Sequence, residues 1–142
     1  MGKRLNLIME TEKIIHKNLI LAIIVRENSW QEGLNFASTE NDYLQVGFWN
    51  YKKGHKLNNH IHLVSHRQVQ KTQEVVFVKN GKLRADIFLE NEKFLTSIIL
   101  NEGDVIFFLN GGHGYEILED STKVLEVKNG PYPGPEKDRK RF

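Results

Sequence analysis

Short apolar runs punctuated by turn residues fill this chain, and few folds accept such a pattern. LILAIIV (Leu19 to Val25), EVVFVK, KLRADIFL, FLTSIIL and DVIFFL follow one another with Asn-Gly, Glu-Asn or Glu-Gly between the later ones. Runs of this length, rich in β-branched and aromatic residues, are the sequence form of an all-β barrel or sandwich. Strands are expected at 19–26, 43–51, 59–64, 73–79, 82–89, 94–100, 104–109, 113–118 and 122–127. Helical periodicity is confined to the N-terminal TEKIIHKN, where it overlaps the first strand. The segment ENSWQEGLNFASTEND reads as a polar connection. All three prolines fall in PYPGP, which ends regular structure and leaves a C-terminal loop or tail.

With 142 residues the chain is expected to form one domain, 1–142, large enough for a core of its own. LILAIIV is seven residues long, far short of a membrane span of about 20. It reads as a buried strand, and no membrane association is expected. A net charge of +2 gives no footprint for a nucleic acid, and much of it comes from the terminal EKDRKRF, read as a solvated tail. There is no cysteine, hence no disulfide, no thiolate nucleophile and no cysteine zinc site. The expected compartment is the cytoplasm.

One hairpin carries the functional reading. Asn80-Gly81 between apolar runs predicts a two-residue type I′ turn, which pairs Lys79 with Lys82, Val78 with Leu83 and Glu74 with Ile87. Directly opposed residues share a sheet face. One face then holds Glu74, Val76, Val78, Leu83, Ala85, Ile87 and Leu89. The other holds Lys79, Lys82, Arg84 and Asp86, with Val75 and Phe77 among them. The apolar face belongs inside, and Glu74 lies on it. A carboxylate there is costly unless it is paired, protonated or bound to a cation. Two histidines, His60 and His62, sit at i and i+2, so on a strand both imidazoles project from one face, as two ligands of one metal require.

These residues resemble the first motif of the cupin superfamily: Gly, five residues, His-x-His, a short gap, Glu, six residues, Gly. Here Gly54 is followed by five residues and His60-Ile61-His62, and Glu74 by six residues and Gly81. The gap from His62 to Glu74 is longer than the family's. A literal count puts His66 in the glutamate's place, but Glu74 has the strand and turn that should follow. His66 is therefore read as a loop residue at the mouth. The second motif is loosely matched by GDVIFFLNGGHGYEI, with Leu109 in place of the family's proline, and it draws His113 into the set. The resemblance implies a double-stranded β-helix (a jelly-roll barrel) over about 43–127, with an N-terminal extension and a short tail. It implies one divalent metal on His60, His62, Glu74 and His113. Three imidazoles and a carboxylate suit Fe, Mn, Ni, Cu or Zn. Trp49 and Tyr51, of one parity on their strand, are read with His66 as substrate contacts, with core packing the commoner fate of such rings.

EVVFVKNGKLRADIF and YEILEDSTKVLEVKNGPYPG are similar to small stand-alone cupins of bacterial polysaccharide and nucleotide-sugar biosynthesis. The resemblance implies a metal-dependent enzyme on a small oxygenated substrate, of isomerase or epimerase type, acting as a homodimer. Three other readings stay open: an Fe(II) dioxygenase, a metal-free dTDP-sugar ketoisomerase using histidines as acid and base, and a non-catalytic sugar-binding module.

Overall fold

The computed structural model describes residues 9–142. Its ten strands are β1 (Glu12–His16), β2 (Leu19–Val25), β3 (Gly33–Phe36), β4 (Gly47–Asn50), β5 (Glu74–Asn80), β6 (Lys82–Phe88), β7 (Phe94–Asn101), β8 (Val105–Phe108), β9 (Gly112–Ile117) and β10 (Lys123–Lys128). A 3-10 turn (Glu27–Ser29) and a four-residue helix α1 (Pro135–Asp138) complete the regular structure. All strand pairs are antiparallel, as expected for an all-β chain. They form a five-stranded sheet in the order β1-β2-β8-β5-β10, a three-stranded sheet β7-β6-β9 and the pair β3-β4. Among the described residues no helix is long and apolar enough to cross a membrane.

The core lies between the two larger sheets. Ala22, Ile24, Val76, Val78, Ile106 and Phe108 come from one, and Leu83, Ala85, Ile87 and Leu100 from the other. LILAIIV is buried from Leu21 to Val25 because β2 is packed on both faces. Its far side meets the loop before β4 and β4 itself, through Phe48, Val46 and Leu44. A continuous apolar run, rather than an alternating one, is what a doubly covered strand needs.

Several expectations are corrected. TEKIIHKN is strand rather than helix: β1 pairs with β2 through Lys17-Asn18, both at positive φ (46° and 64°). That is the two-residue turn assigned above to Asn80-Gly81, formed here without a glycine. β5 and β6, by contrast, do not pair with each other. Val78 lies opposite Val124 and Leu83 opposite Leu100 and Ile117, so the chain passes at Gly81 from one sheet to the facing one. The inward set survives, because each strand still alternates and both present one face to the shared core. Glu74, Val76, Val78, Leu83, Ala85 and Ile87 are buried.

The polar connection before position 43 contains β3, and only 47–50 of the expected strand 43–51 is formed. The expected strand 59–64 is absent: its residues are exposed and pair with no strand. An extended segment without a neighbour has no ladder to join. The N-terminal strands are no appendage either, since β2 stands beside β8 inside the main sheet. The terminal residues are not a free tail: Phe142 packs edge-on against Phe88 with ring centroids 5.1 Å apart, and Lys140 pairs with Glu92.

Gly81 has φ 87°, and a Cβ there would come within 2.2 Å of the Thr122 hydroxyl and 2.8 Å of its Cα. Gly81→Val therefore adds backbone strain to a clash with the β9-β10 connection and is expected to cost about 2 kcal/mol or more. Arg84→Ala removes only surface pairs with Asp86 and Glu116 and should leave the urea midpoint close to that of the parent chain. Urea denaturation of the two variants beside the parent chain checks both.

Candidate functional site

Glu74 opens β5, and its side chain enters the inner face with only 5% of its surface exposed. The sheet ladders explain what surrounds it. β10 sets Lys128 opposite Glu74, and β8 sets Phe108 there from the other side. From the facing sheet, β9 presents His113 and Tyr115, two residues apart and so on one face.

The carboxylate is fully engaged. The Tyr115 hydroxyl donates to Oε1 at 2.7 Å. His113 Nε2 stands 3.3 Å from Oε2, and Lys128 Nζ 3.7 Å from the same oxygen. Phe108 stacks on the His113 ring, with centroids 4.2 Å apart and planes 25° from parallel, which fixes the imidazole plane. Lys128 is held in turn by Glu126 at 2.6 Å.

Burial alone would push the Glu74 carboxyl up. His113 and Tyr115 as hydrogen-bond partners, with the charges of His113 and Lys128, together outweigh it and hold the carboxyl below its ordinary value. The Tyr115 hydroxyl is driven well above its usual range, first by burial, then by the negative charge of Glu74 and the bond to it. Near neutral pH, then, Glu74 is an ionised acceptor and Tyr115 a protonated donor.

Beside this group an open cleft of about 1170 Å³ runs between β9 and β10. Glu74, His113, Tyr115, Phe108 and Lys128 form one wall, and the terminal residues from Asp138 to Phe142 line its rim. Asp138 is tied to Thr72 and Lys140 to Glu92, so the chain end lies along the mouth.

Of the residues expected to form a metal site, the fold brings together Glu74 and His113. His60 and His62 lie in an exposed stretch, their rings 5.2 Å apart and edge-on to each other. His66 is exposed in the same stretch. Tyr51 stacks on His55 at 4.0 Å, and Trp49 projects from β4 opposite Leu34. None of these five lines the cleft. Glu74 and His113 would fit two places in a divalent-metal shell, but within one chain the four-ligand set is not assembled. Among the described residues no three His, Cys, Asp or Glu side chains converge on one point. Sequence reasoning missed Tyr115, Phe108 and Lys128. Tyr115 was within reach, since it shares strand parity with His113 in GHGYEI; the other two needed the pairing of β5 with β8 and β10.

Comparison with family models, with curated proteins and with solved structures gives no match for this chain. The functional reading therefore rests on the geometry and on the cupin-like spacing in the sequence.

A carboxyl held below its ordinary value stabilises the fold at pH above that value, and the contribution is lost as pH falls through the lowered one. Tyr115→Phe removes a donor to the ionised form. It should cost about 1–2 kcal/mol near pH 7. The gap to the parent chain should narrow as pH falls below about 4, where Glu74 takes up a proton in both proteins. Thermal unfolding from pH 7 to pH 3 reads this directly.

Proposed function

We propose that this protein is an isomerase- or epimerase-type enzyme that moves a proton beside a carbonyl of a small oxygenated substrate, with His113 as the acid-base group. A sugar or nucleotide sugar is the substrate class that the cupin-like spacing favours. The observation that carries the reading is the Glu74-His113 pair: a buried, ionised carboxylate 3.3 Å from an imidazole on the wall of an open cleft. A carboxylate so placed orients the ring, which is how a histidine is positioned to accept and return a proton. With its proton on Nε2 toward Glu74, the ring has Nδ1 as its basic nitrogen.

In the step envisaged, the basic nitrogen takes a proton from the carbon next to the carbonyl, and the bonding pair becomes the enolate. For isomerisation, the hydroxyl proton on that first carbon passes to the enolate oxygen while the imidazolium returns its proton to the former carbonyl carbon. For epimerisation, the imidazolium returns its proton to the opposite face of the first carbon after the substrate turns, so nothing is consumed. Tyr115, still protonated, keeps Glu74 fixed while charge moves on and off the ring. The fold this reading implies is the double-stranded β-helix, and the facing antiparallel sheets support it.

A second reading places one divalent transition metal (Fe, Mn, Ni, Cu or Zn) on Glu74 and His113, with His60 and His62 as the remaining ligands. It is favoured by the two donors that already share one wall. A metal there would polarise a substrate carbonyl.

Incubation of the protein in deuterated water with a panel of keto-sugar nucleotides tests the proposal, deuterium wash-in being followed by proton NMR. The expected result is exchange at the carbon next to the carbonyl, slowed by about 10²-fold or more in His113→Ala. Binding without exchange across the panel would leave a non-catalytic sugar-binding module instead. Loss of exchange on chelation, restored by one metal, would favour the second reading.

A further inference from the structure

Two sheet edges beside the cleft lack a strand partner among the described residues: the outer edges of β9 and β10. Both are apolar where a finished sheet would be covered. Val124 and Leu125 point to opposite faces of β10, yet both are exposed, Leu125 by 57%. Ile117, on the inward face of β9 with His113 and Tyr115, is exposed by 56%. Bare edges of this kind are the part of a β protein most ready to take another strand.

A strand is on hand. Every residue from Trp49 to Lys71 is exposed, and Ile61, Leu63 and Val64 are exposed by 84%, 78% and 106%. Among the described residues, the hydrogen bonds made by 52–70 stay within the segment: His55 to Lys52, His60 to Asn58, Arg67 to Ser65. Folding gains nothing by holding an Ile-His-Leu-Val run in water, so this arm is built for a partner surface. The charges match as well. Lys52, Lys53, Lys56, Arg67 and Lys71 lie in a stretch without a single acid, while Glu116, Glu119, Asp120 and Glu126 line the two bare edges and the turn between them, Glu116, Glu119 and Glu126 each sharing their charge with one cation of their own chain.

We propose that residues 59–64 of one copy of this chain lie as an added strand along the free edge of β9 in a second copy, which returns the same arm. Such an exchange closes with two-fold symmetry. His60 and His62 share one parity, so a strand that turns them inward sets them on the face of β9 that carries His113 and Tyr115. Ile61 and Leu63 then fall on the outward face, where Gly114 leaves open space and the Phe142 ring lies over Gly112 as an apolar contact. The site of each copy is completed by imidazoles from the other, which is why one chain alone brings together only half of the expected ligand set. The placement of the histidines rests on the reading of Glu74 and His113 as the working centre; the exchange of the arm does not.

Light scattering and Zn²⁺ titration test this together. The protein at tens of micromolar should have a mass near twice the chain's 16.5 kDa. Ile61→Asp/Leu63→Asp, which alters only exposed positions of the single chain, should give a folded monomer. His60→Ala/His62→Ala and Glu74→Gln/His113→Ala should each bind Zn²⁺ at least about tenfold more weakly than the parent chain. Co-expressed, they should form heterodimers with about one tight zinc each, since one of the two sites recovers all four groups. A monomeric parent chain, a dimer untouched by the Asp pair, or heterodimers no better than either variant alone would overturn the proposal. So would one tight zinc per monomer, which means the arm folds back on its own chain. A dimer dissolved by the Asp pair, in a protein that binds no zinc at all, upholds the exchanged arm and removes the metal reading alone.

Discussion

The carboxylate of Glu74 sits where the fold would otherwise put a valine. It occupies an inward position of β5, in line with Val76 and Val78, and reaches a pocket walled by Phe108. An unpaired charge in such a place costs several kcal/mol. The structure meets that cost with three donors from two strands: a hydroxyl and an imidazole from β9 and an ammonium from β10. Lys128 is Glu74's own neighbour on the β5-β10 ladder, and the two β9 donors reach it across the sheet gap. The charge therefore ties the two sheets together at the end of the core, where apolar contacts give way to the cleft. A second buried carboxylate, Asp104, does similar work at the opposite end of β8. It accepts from Arg26 and from the backbone N–H groups of Glu27 and Asn101.

Much of the fold can be read from strand-scale patterns. Alternation over Glu74 to Phe88 decides which residues face inward, and that holds whether or not β5 and β6 pair with each other. Partnership is what alternation leaves open. Asn80-Gly81 has the composition of a tight hairpin turn, yet Gly81 serves as a crossing between sheets, while the tight turn forms at Lys17-Asn18. Those two residues carry no strong local signal for positive φ, so the turn follows from the pairing of β1 with β2. β3 was hidden for a related reason: GLNF is too short to show a period, and its place is set by its pairing with β4.

The candidate site was legible by half. Glu74 and His113 follow from parity and spacing, and they meet. Tyr115 is on the same strand face as His113, two residues on. Lys128 and Phe108 reach Glu74 only through ladders between strands distant in sequence, which no local pattern encodes. His60 and His62 keep the spacing of a ligand pair, but spacing says nothing about which edge, or which copy of the chain, a strand will join. On the exchange proposed above, the exposed arm would extend the three-stranded sheet at the free edge of β9.

Glu74 is ionised inside the protein because His113, Tyr115 and Lys128 hold it so. Carbon-13 NMR of glutamate-labelled protein, with Glu74→Gln to assign the carboxyl signal, measures this directly. The expected titration lies below the ordinary glutamate value of about 4.3 and moves up in Tyr115→Phe. A Glu74 carboxyl that titrates at or above that value, and does not respond to loss of the Tyr115 hydroxyl, would contradict it.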